Sequence, residues 1–462
     1  MSFSVAGQHV VVVGAARSGI AAAVLLRERH ARVTLADSRT TPFDGADDLR
    51  ARGVAIELGP HRDRLFADAD LVVLSPGVPP VQPAFVAARR RDVPIIGEIE
   101  LASRWLTGRV VAITGTKGKS TTTTLTARML QAGGVRVTAG GNLGTALSAQ
   151  VSESTPDSVH VVEVSSFQLE TTEQFHPWIA VLVNLSPDHL DRHASFDEYA
   201  SAKARIFANQ TTADWAVINA DDPASLELAR TARARRFDFA LDAPIADGVT
   251  VDAGEIVERR RGGNTRPLLP VSAVRLPGRH LLSDVLAASA VACLAGVPPA
   301  AMHRAVETFE GLEHALQRVA EVDGIRFIDD SKATNVVSAR RAIESVGAGV
   351  VPIVGGRYKG GDFRDLRDAV RQHARGIVAI GEAAELVEQA LGDLVPVARA
   401  ASMHDAVRRA FDLAPSGGAV LLAPACSSFD MFTDYAARGR AFAEEARALA
   451  ADTHAAAPEQ SS

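Results

Sequence analysis

A short apolar run that ends in a glycine turn and leads into a helix-like stretch recurs along this chain, and that unit builds parallel α/β sheets. The first copy is a strand expected at 9–13, followed by Gly14 and a helical pattern through Arg29. Further strands are expected at 32–37 and 70–74. A second series opens at 110–113, again followed by glycines and a helix, and continues through 160–164 and 180–184. Residues 237–277 have poorer periodicity and read as a few short antiparallel strands around a turn at 259–263. A long Ala-rich helix is expected at 281–295, and a third series at 325–329, 350–354, 377–380 and 420–422. The arginines at 89–91 read as a solvated helix face, and the tail from 451 as frayed. No short repeat emerges; three successive α/β blocks are the organisation.

Composition narrows the partners. A length of 462 residues is room for about three domains. With 47% hydrophobic and 23% charged residues the chain is expected to be globular and soluble, not disordered. The net charge is −6, which gives no electrostatic footprint for nucleic acid. Two cysteines, Cys293 and Cys426, cannot form a disulfide framework, which fits a reducing cytoplasm. The longest apolar run, 281–297, contains Asp284 and falls short of the ~20 residues of a membrane span. No basic stretch precedes an apolar one at the N-terminus, so no secretory signal is expected.

The turn Gly14–Gly19 resembles a dinucleotide fingerprint but has Ala16 where the second glycine should stand. Asp37 follows at the spacing of a ribose-binding acid, so a nucleotide turn of another sort and an ordinary tight turn both remain open. The segment Gly115-Thr116-Lys117-Gly118-Lys119-Ser120-Thr121 is more specific, because it follows a strand and opens a helix. Backbone N–H groups and the positive helix end then face phosphate oxygens, Lys119 reaches the β/γ-phosphates, and Ser120 can hold Mg²⁺. This predicts an ATP site. Glu163, at an expected strand end, is placed to hold Mg²⁺, and His189 is expected at another strand end, where α/β sheets bind ligands. Asp191 and His193 read as loop polar residues, and Lys203 by itself as an exposed helix lysine. Polar clusters at 329–335, 355–363 and 424–430 each follow a strand and should gather on one sheet edge, suited to a small carboxylate substrate. Cys426 reads as a small buried residue.

Together these segments resemble the Mur ligases of peptidoglycan synthesis, and among them the branch that adds D-glutamate. The resemblance is carried by Ser75-Pro-Gly-Val, Thr114–Thr121, Gly141-Asn-Leu-Gly144, Glu163–Glu170, Asp188–Arg192, Asp330–Asn335 and Leu422–Cys426. It implies an N-terminal Rossmann-like UDP-binding domain (1–100), a central P-loop ATPase domain (101–311), and a C-terminal Rossmann-like domain (312–462) that binds glutamate and closes over ATP. It implies a cytoplasmic, monomeric ligase acting on ATP, UDP-N-acetylmuramoyl-L-alanine and D-glutamate through an acyl phosphate, with no nucleic-acid or membrane partner. By the same resemblance Ser38, Arg39 and Gly77 hold the uridine nucleotide, and Asn142 belongs to the ATP site. Ser120, Glu163, His189 and a carbamylated Lys203 hold two Mg²⁺ ions. Lys332 contacts the nucleotide, and Thr334, Lys359, Ser428 and Tyr435 form the glutamate pocket; Lys119, His189, Lys203 and Lys332 are the expected catalytic set.

The chain departs from the family pattern at Ala315 (commonly Arg, with Arg318 as a substitute), Leu281 (commonly Asn), Arg357 (often an acid) and Tyr435 (commonly Phe). The rival readings are an L-glutamate ligase, a folylpolyglutamate-synthase-like ligase, an NAD-dependent oxidoreductase built on the Gly14 turn, and a non-catalytic nucleotide-binding regulator.

Overall fold

The computed structural model describes residues 3–188, 192–275, 278–358 and 360–456. The chain divides into two compact units, one through Phe309 and one from Glu310 onward.

The first unit contains three sheets. In the first, strands β1 (His9–Val13), β2 (Arg32–Asp37), β3 (Ala55–Leu58), β4 (Leu71–Leu74) and β5 (Ile95–Gly97) are all parallel, in the order β3-β2-β1-β4-β5. In the second, β6 (Arg109–Thr114), β7 (Arg136–Gly141), β8 (Ser158–Glu163), β9 (Ile179–Leu182), β10 (Trp215–Ile218) and β11 (Arg235–Arg236) are also parallel, ordered β11-β10-β9-β6-β8-β7. Central strands such as Val10–Val13 and Val111–Ile113 are buried on both faces, which is why they read as continuous apolar runs. The third sheet holds β12 (Asp238–Ala240), β13 (Gly248–Asp252), β14 (Glu255–Arg260) and β15 (Asn264–Pro270).

The expected antiparallel strands are present there, but β12 and β13 pair parallel, and Arg259 and Arg260 lie within β14, so the turn begins only at Arg261. Strands β3, β5, β7 and β10 were not legible in the sequence pattern. β3 is an edge strand alternating exposed and half-buried residues, β5 has three residues, and β7 ends in two glycines.

The second unit is one six-stranded sheet: β16 (Gln317–Val322), β17 (Ile325–Asp329), β18 (Val350–Gly355), β19 (Ile377–Ile380), β20 (Val397–Ala400) and β21 (Ala419–Ala425), ordered β16-β17-β21-β18-β19-β20. Only β16 runs antiparallel. Because β17, β21 and β18 are parallel neighbours, the three polar clusters that follow them share one edge, as expected. Helix Tyr435–Ala456 includes the first residues, 451–456, of the tail read as frayed; the rest of that tail lies outside the described residues. Arg89, Arg90 and Arg91 are exposed, as a solvated face should be.

These strand orders place the ligand edges. Strand order reverses beside β1 in the first sheet and beside β6 in the second, and crevices form at the carboxyl ends of strands flanking such reversals.

Candidate active site

Strand β6 delivers the glycine loop to the reversal point of the second sheet. Gly118 caps helix Lys119–Ala132 in a left-handed conformation, φ 80°. A Cβ there would lie 2.1 Å from Oδ1 of Asp284, so only glycine fits. The buried Asp284 is pushed well above the usual carboxylate range by desolvation, against the opposing effects of Thr122 and Lys119.

Not every loop amide faces outward. Asn184, two residues beyond β9, accepts the N–H groups of Thr116 (3.2 Å) and Lys117 (2.9 Å) on Oδ1 and donates Nδ2 to the Lys117 carbonyl (3.0 Å). Of the loop N–H groups, those of Thr116 and Lys117 are thus engaged by Asn184. The amides of the first helical turn have no intrahelical acceptor.

The neighbouring strand β8 ends in Glu163, which is buried. Its Oε2 accepts from Ser120 Oγ and its Oε1 from Asn142 Nδ2, both at 2.6 Å. Among the described residues no three His, Cys, Asp or Glu side chains cluster as a closed metal cage. The donors here are a hydroxyl and a carboxylate beside a phosphate loop, hard oxygen ligands that fit Mg²⁺ completed by phosphate and water.

Lys203 is not an exposed helix lysine. Helix Phe196–Ala204, capped by Ser195 Oγ on the Glu198 amide, turns it inward to 1% exposure. Its Nζ donates to Gly115 O at 2.8 Å and Thr114 Oγ1 at 3.3 Å, and sits 4.7 Å from the Tyr199 ring centroid. Lys119 Nζ donates to the same Gly115 carbonyl at 3.0 Å. Burial, then the Lys119 charge, lowers the Lys203 amine to about 7, against the pull of Asp188 and Glu163. Burial pushes the Tyr199 hydroxyl up to about 12; it lies 3.1 Å from Thr116 Oγ1. His193 lies in a loop, as expected, but is buried there, with Nε2 3.0 Å from Ser166 Oγ. His189 and Asp191 lie outside the described residues.

At the ligand edge of the first sheet, the Ala15 amide binds Asp37 Oδ2 at 2.6 Å, while Arg39 binds Oδ1 through its amide (2.9 Å) and Nε (3.0 Å). Asp37 thus braces the turn and Arg39 rather than presenting a free carboxylate. Ser38 and Gly77 are exposed on the same edge.

In the second unit, Lys332 is exposed, Ser428 is buried and Tyr435 is partly exposed at the start of the last helix. Thr334 follows on the Lys332 turn, its amide donating to the Lys332 carbonyl at 2.8 Å. The buried Arg438 joins these segments, binding Ser331 Oγ and O at 3.0 Å and Cys426 O at 3.1 Å. Burial raises Asp330 to about 7. Cys426 is buried, as expected, and Lys359 lies outside the described residues.

Residues 8–97 match the Mur ligase MurD-like N-terminal domain, 113–292 the Mur ligase middle domain, and 316–426 the Mur ligase glutamate ligase domain. The chain is 46% identical over 439 residues to the UDP-N-acetylmuramoylalanine–D-glutamate ligase of Acidobacterium capsulatum, covering 94% of this chain and 95% of that one. The chain belongs to the Mur ligase family. The ligase of the same name from Geotalea daltonii is 43% identical to this Mur ligase, covering 96% and 98% of the two chains. The solved UDP-N-acetylmuramate–alanine ligase MurC of Thermotoga maritima shares the fold, with a TM-score of 0.58 at 21% identity over 96% of this chain and 100% of that one.

Within this Mur ligase, Arg318 pairs with Glu321 on its own strand and Arg357 pairs with Glu382 at 3.1 Å. Asn184, Thr114 and Asp284 are site residues that sequence reasoning missed. Position 184 alone carried a signal: an asparagine just past a strand beside the glycine loop.

Proposed function

We propose that this chain joins D-glutamate to UDP-N-acetylmuramoyl-L-alanine with cleavage of ATP to ADP and phosphate. The observation that carries the reading is the near-full-length likeness to D-glutamate ligases, in a chain whose phosphate loop faces Glu163 and Asn142. The division of labour follows the three blocks 1–100, 101–311 and 312–462, in the cytoplasm where ATP and UDP-linked precursors occur. No helix among the described residues is long and apolar enough to cross a membrane.

A free carboxylate is a poor acyl donor because oxide is a poor leaving group. Transfer of the γ-phosphoryl to the L-alanyl carboxylate gives an acyl phosphate and ADP. The glutamate amine then attacks the acyl carbon, and the tetrahedral intermediate expels phosphate to leave the amide. Ser38, Arg39 and Gly77 hold the uridine diphosphate. The amides of Gly118 to Thr121 and the Lys119 ammonium hold and orient the nucleotide phosphates. Ser120, Glu163, His189 and Lys203 hold two Mg²⁺ ions, which screen the approach of two anions when bound. Lys332 contacts the nucleotide, while Thr334, Lys359, Ser428 and Tyr435 orient the glutamate.

Lys203 serves as its carbamate. A buried ammonium there would repel a cation, whereas the neutral amine can add CO₂ and present oxygen. An amine lowered to about 7 supplies that neutral form at ordinary pH.

Lys119→Ala tests the ATP assignment. The variant is expected to keep its circular dichroism spectrum and lose ATP-dependent phosphate release; unchanged release would overturn the reading.

A further inference from the structure

The amino ends of the central parallel strands carry a cleft of their own. It has a volume of about 340 Å³ and lies beside Arg109 at the start of β6, Trp178 just before β9 and Asp214 just before β10, three strands that are neighbours in the sheet. The glycine loop and Asn184 follow the carboxyl ends of β6 and β9. Six residues of β6 at ~3.3 Å each put about 20 Å between the two edges, so an occupant of this cleft is not a reactant of the proposed chemistry.

The acids around the cleft are committed, and one cation is not. Asp214 Oδ2 lies 2.7 Å from His176 Nε2 and accepts the Thr211 amide at 2.7 Å and Thr211 Oγ1 at 2.9 Å. Arg104, the other guanidinium of the lining, is held between Glu100 (2.8 Å) and Glu173 (3.0 Å). Arg109 stacks over the Trp178 ring, its Cζ 4.6 Å from the centroid, and its guanidinium N–H groups have no acceptor among the described residues. The Trp178 indole N–H and the side-chain amide of the exposed Gln174 are likewise without partners there.

Stacking on Trp178 holds the fork of Arg109 in place, which removes part of the rotamer cost of gripping an anion. A guanidinium meets a carboxylate with two parallel N–H···O bonds. Only one fork is uncommitted, which suits a monoanion better than a doubly charged phosphate. Leu106 and the buried Val110 add an apolar wall for the body of such a molecule.

We propose that this cleft binds a small organic carboxylate at a site separate from the substrates, with Arg109 gripping the carboxylate and Trp178 and Gln174 donating beside it. The site does not depend on the ligase reading.

The test follows the indole N–H signals of the three tryptophans by NMR in the isotope-labelled full chain, the Trp178 signal being identified by its loss in Trp178→Phe. Benzoate is the probe and benzyl alcohol its uncharged counterpart. Benzoate is expected to shift the Trp178 signal and to saturate in the millimolar range. Arg109→Gln keeps most of the stem and removes the charge. It is expected to weaken benzoate about tenfold, the scale of one charge-assisted contact, and to leave phosphate release within about twofold of the parent. A shift that never saturates, equal binding of benzyl alcohol, or benzoate affinity unchanged in Arg109→Gln overturns the proposal.

Discussion

Lys203 shows how much a residue's chemistry depends on where the fold puts it. Its sequence neighbourhood, an Ala-rich helix, is that of a surface lysine. The structure buries it against Gly115 O, shared with a second ammonium, and that like-charge crowding in a desolvated site is invisible to spacing. Lys203→Ala is expected to be inactive and to recover part of its rate with acetate, which fits the vacated space. Lys203→Arg should not be rescued, because a cation still fills the site; near-parental activity of that variant would return Lys203 to an ordinary lysine. The sign of the pH effect follows from an amine near 7. Raising pH from 6 to 8 moves it from mostly charged to mostly neutral, so enzyme depleted of CO₂ should regain activity faster at pH 8 when dissolved CO₂ is held equal at the two pH values. Arg39 offers the contrast. Held by Asp37 far along the chain from the phosphate loop, it has the proposed role of binding alone, so Arg39→Ala should raise KM for the UDP substrate with kcat nearly unchanged.

Among the elements, the segments after strands carry the site and the joints between elements hold it. Glu100, fully buried on helix Glu98–Ser103, accepts the amides of Glu173, Gln174 and Phe175 at 2.8–3.0 Å and pairs with Arg104 at 2.8 Å. Glu100→Ala would leave three amides without their acceptor and Arg104 with Glu173 alone. A loss of about 3 kcal/mol in urea unfolding is expected; a loss below ~1 kcal/mol would show that water replaces the carboxylate. Strand β8 carries a pH-sensitive element. His160 is fully buried among the hydroxyls of Thr138, Ser154 and Ser158, and burial holds its imidazole below the usual value of 6.5. The unfolded chain therefore takes up the proton first as pH falls. Stability should be intact above pH 6.5 and decline below it, until the folded imidazole also titrates. A His160→Gln variant should show a flatter pH profile of thermal unfolding across that window.

For the whole molecule, the parallel sheets were legible because their central strands are buried on both faces and read as unbroken apolar runs. What escaped was mostly peripheral: the edge strands β3, β5, β7, β11, β16 and β20, and the parallel β12–β13 pair, which depends on partners far along the chain; the four-residue β10 escaped although it is interior and largely buried. Glu163 and Ser120 were legible because a strand end and a glycine loop constrain them locally. Asn184 was not, since its hydrogen bonds to residues 116 and 117 exist only once β9 lies beside β6. The same limit applies to substrate handedness, which a few atoms of the proposed pocket around Thr334, Ser428 and Tyr435 would decide. The most direct measurement is therefore phosphate release from ATP by the purified chain with UDP-N-acetylmuramoyl-L-alanine, comparing D- and L-glutamate. Release dependent on the UDP substrate and on D-glutamate, with little from L-glutamate, is the expected result. Release with L-glutamate alone, or turnover that ignores the UDP substrate, would contradict the account.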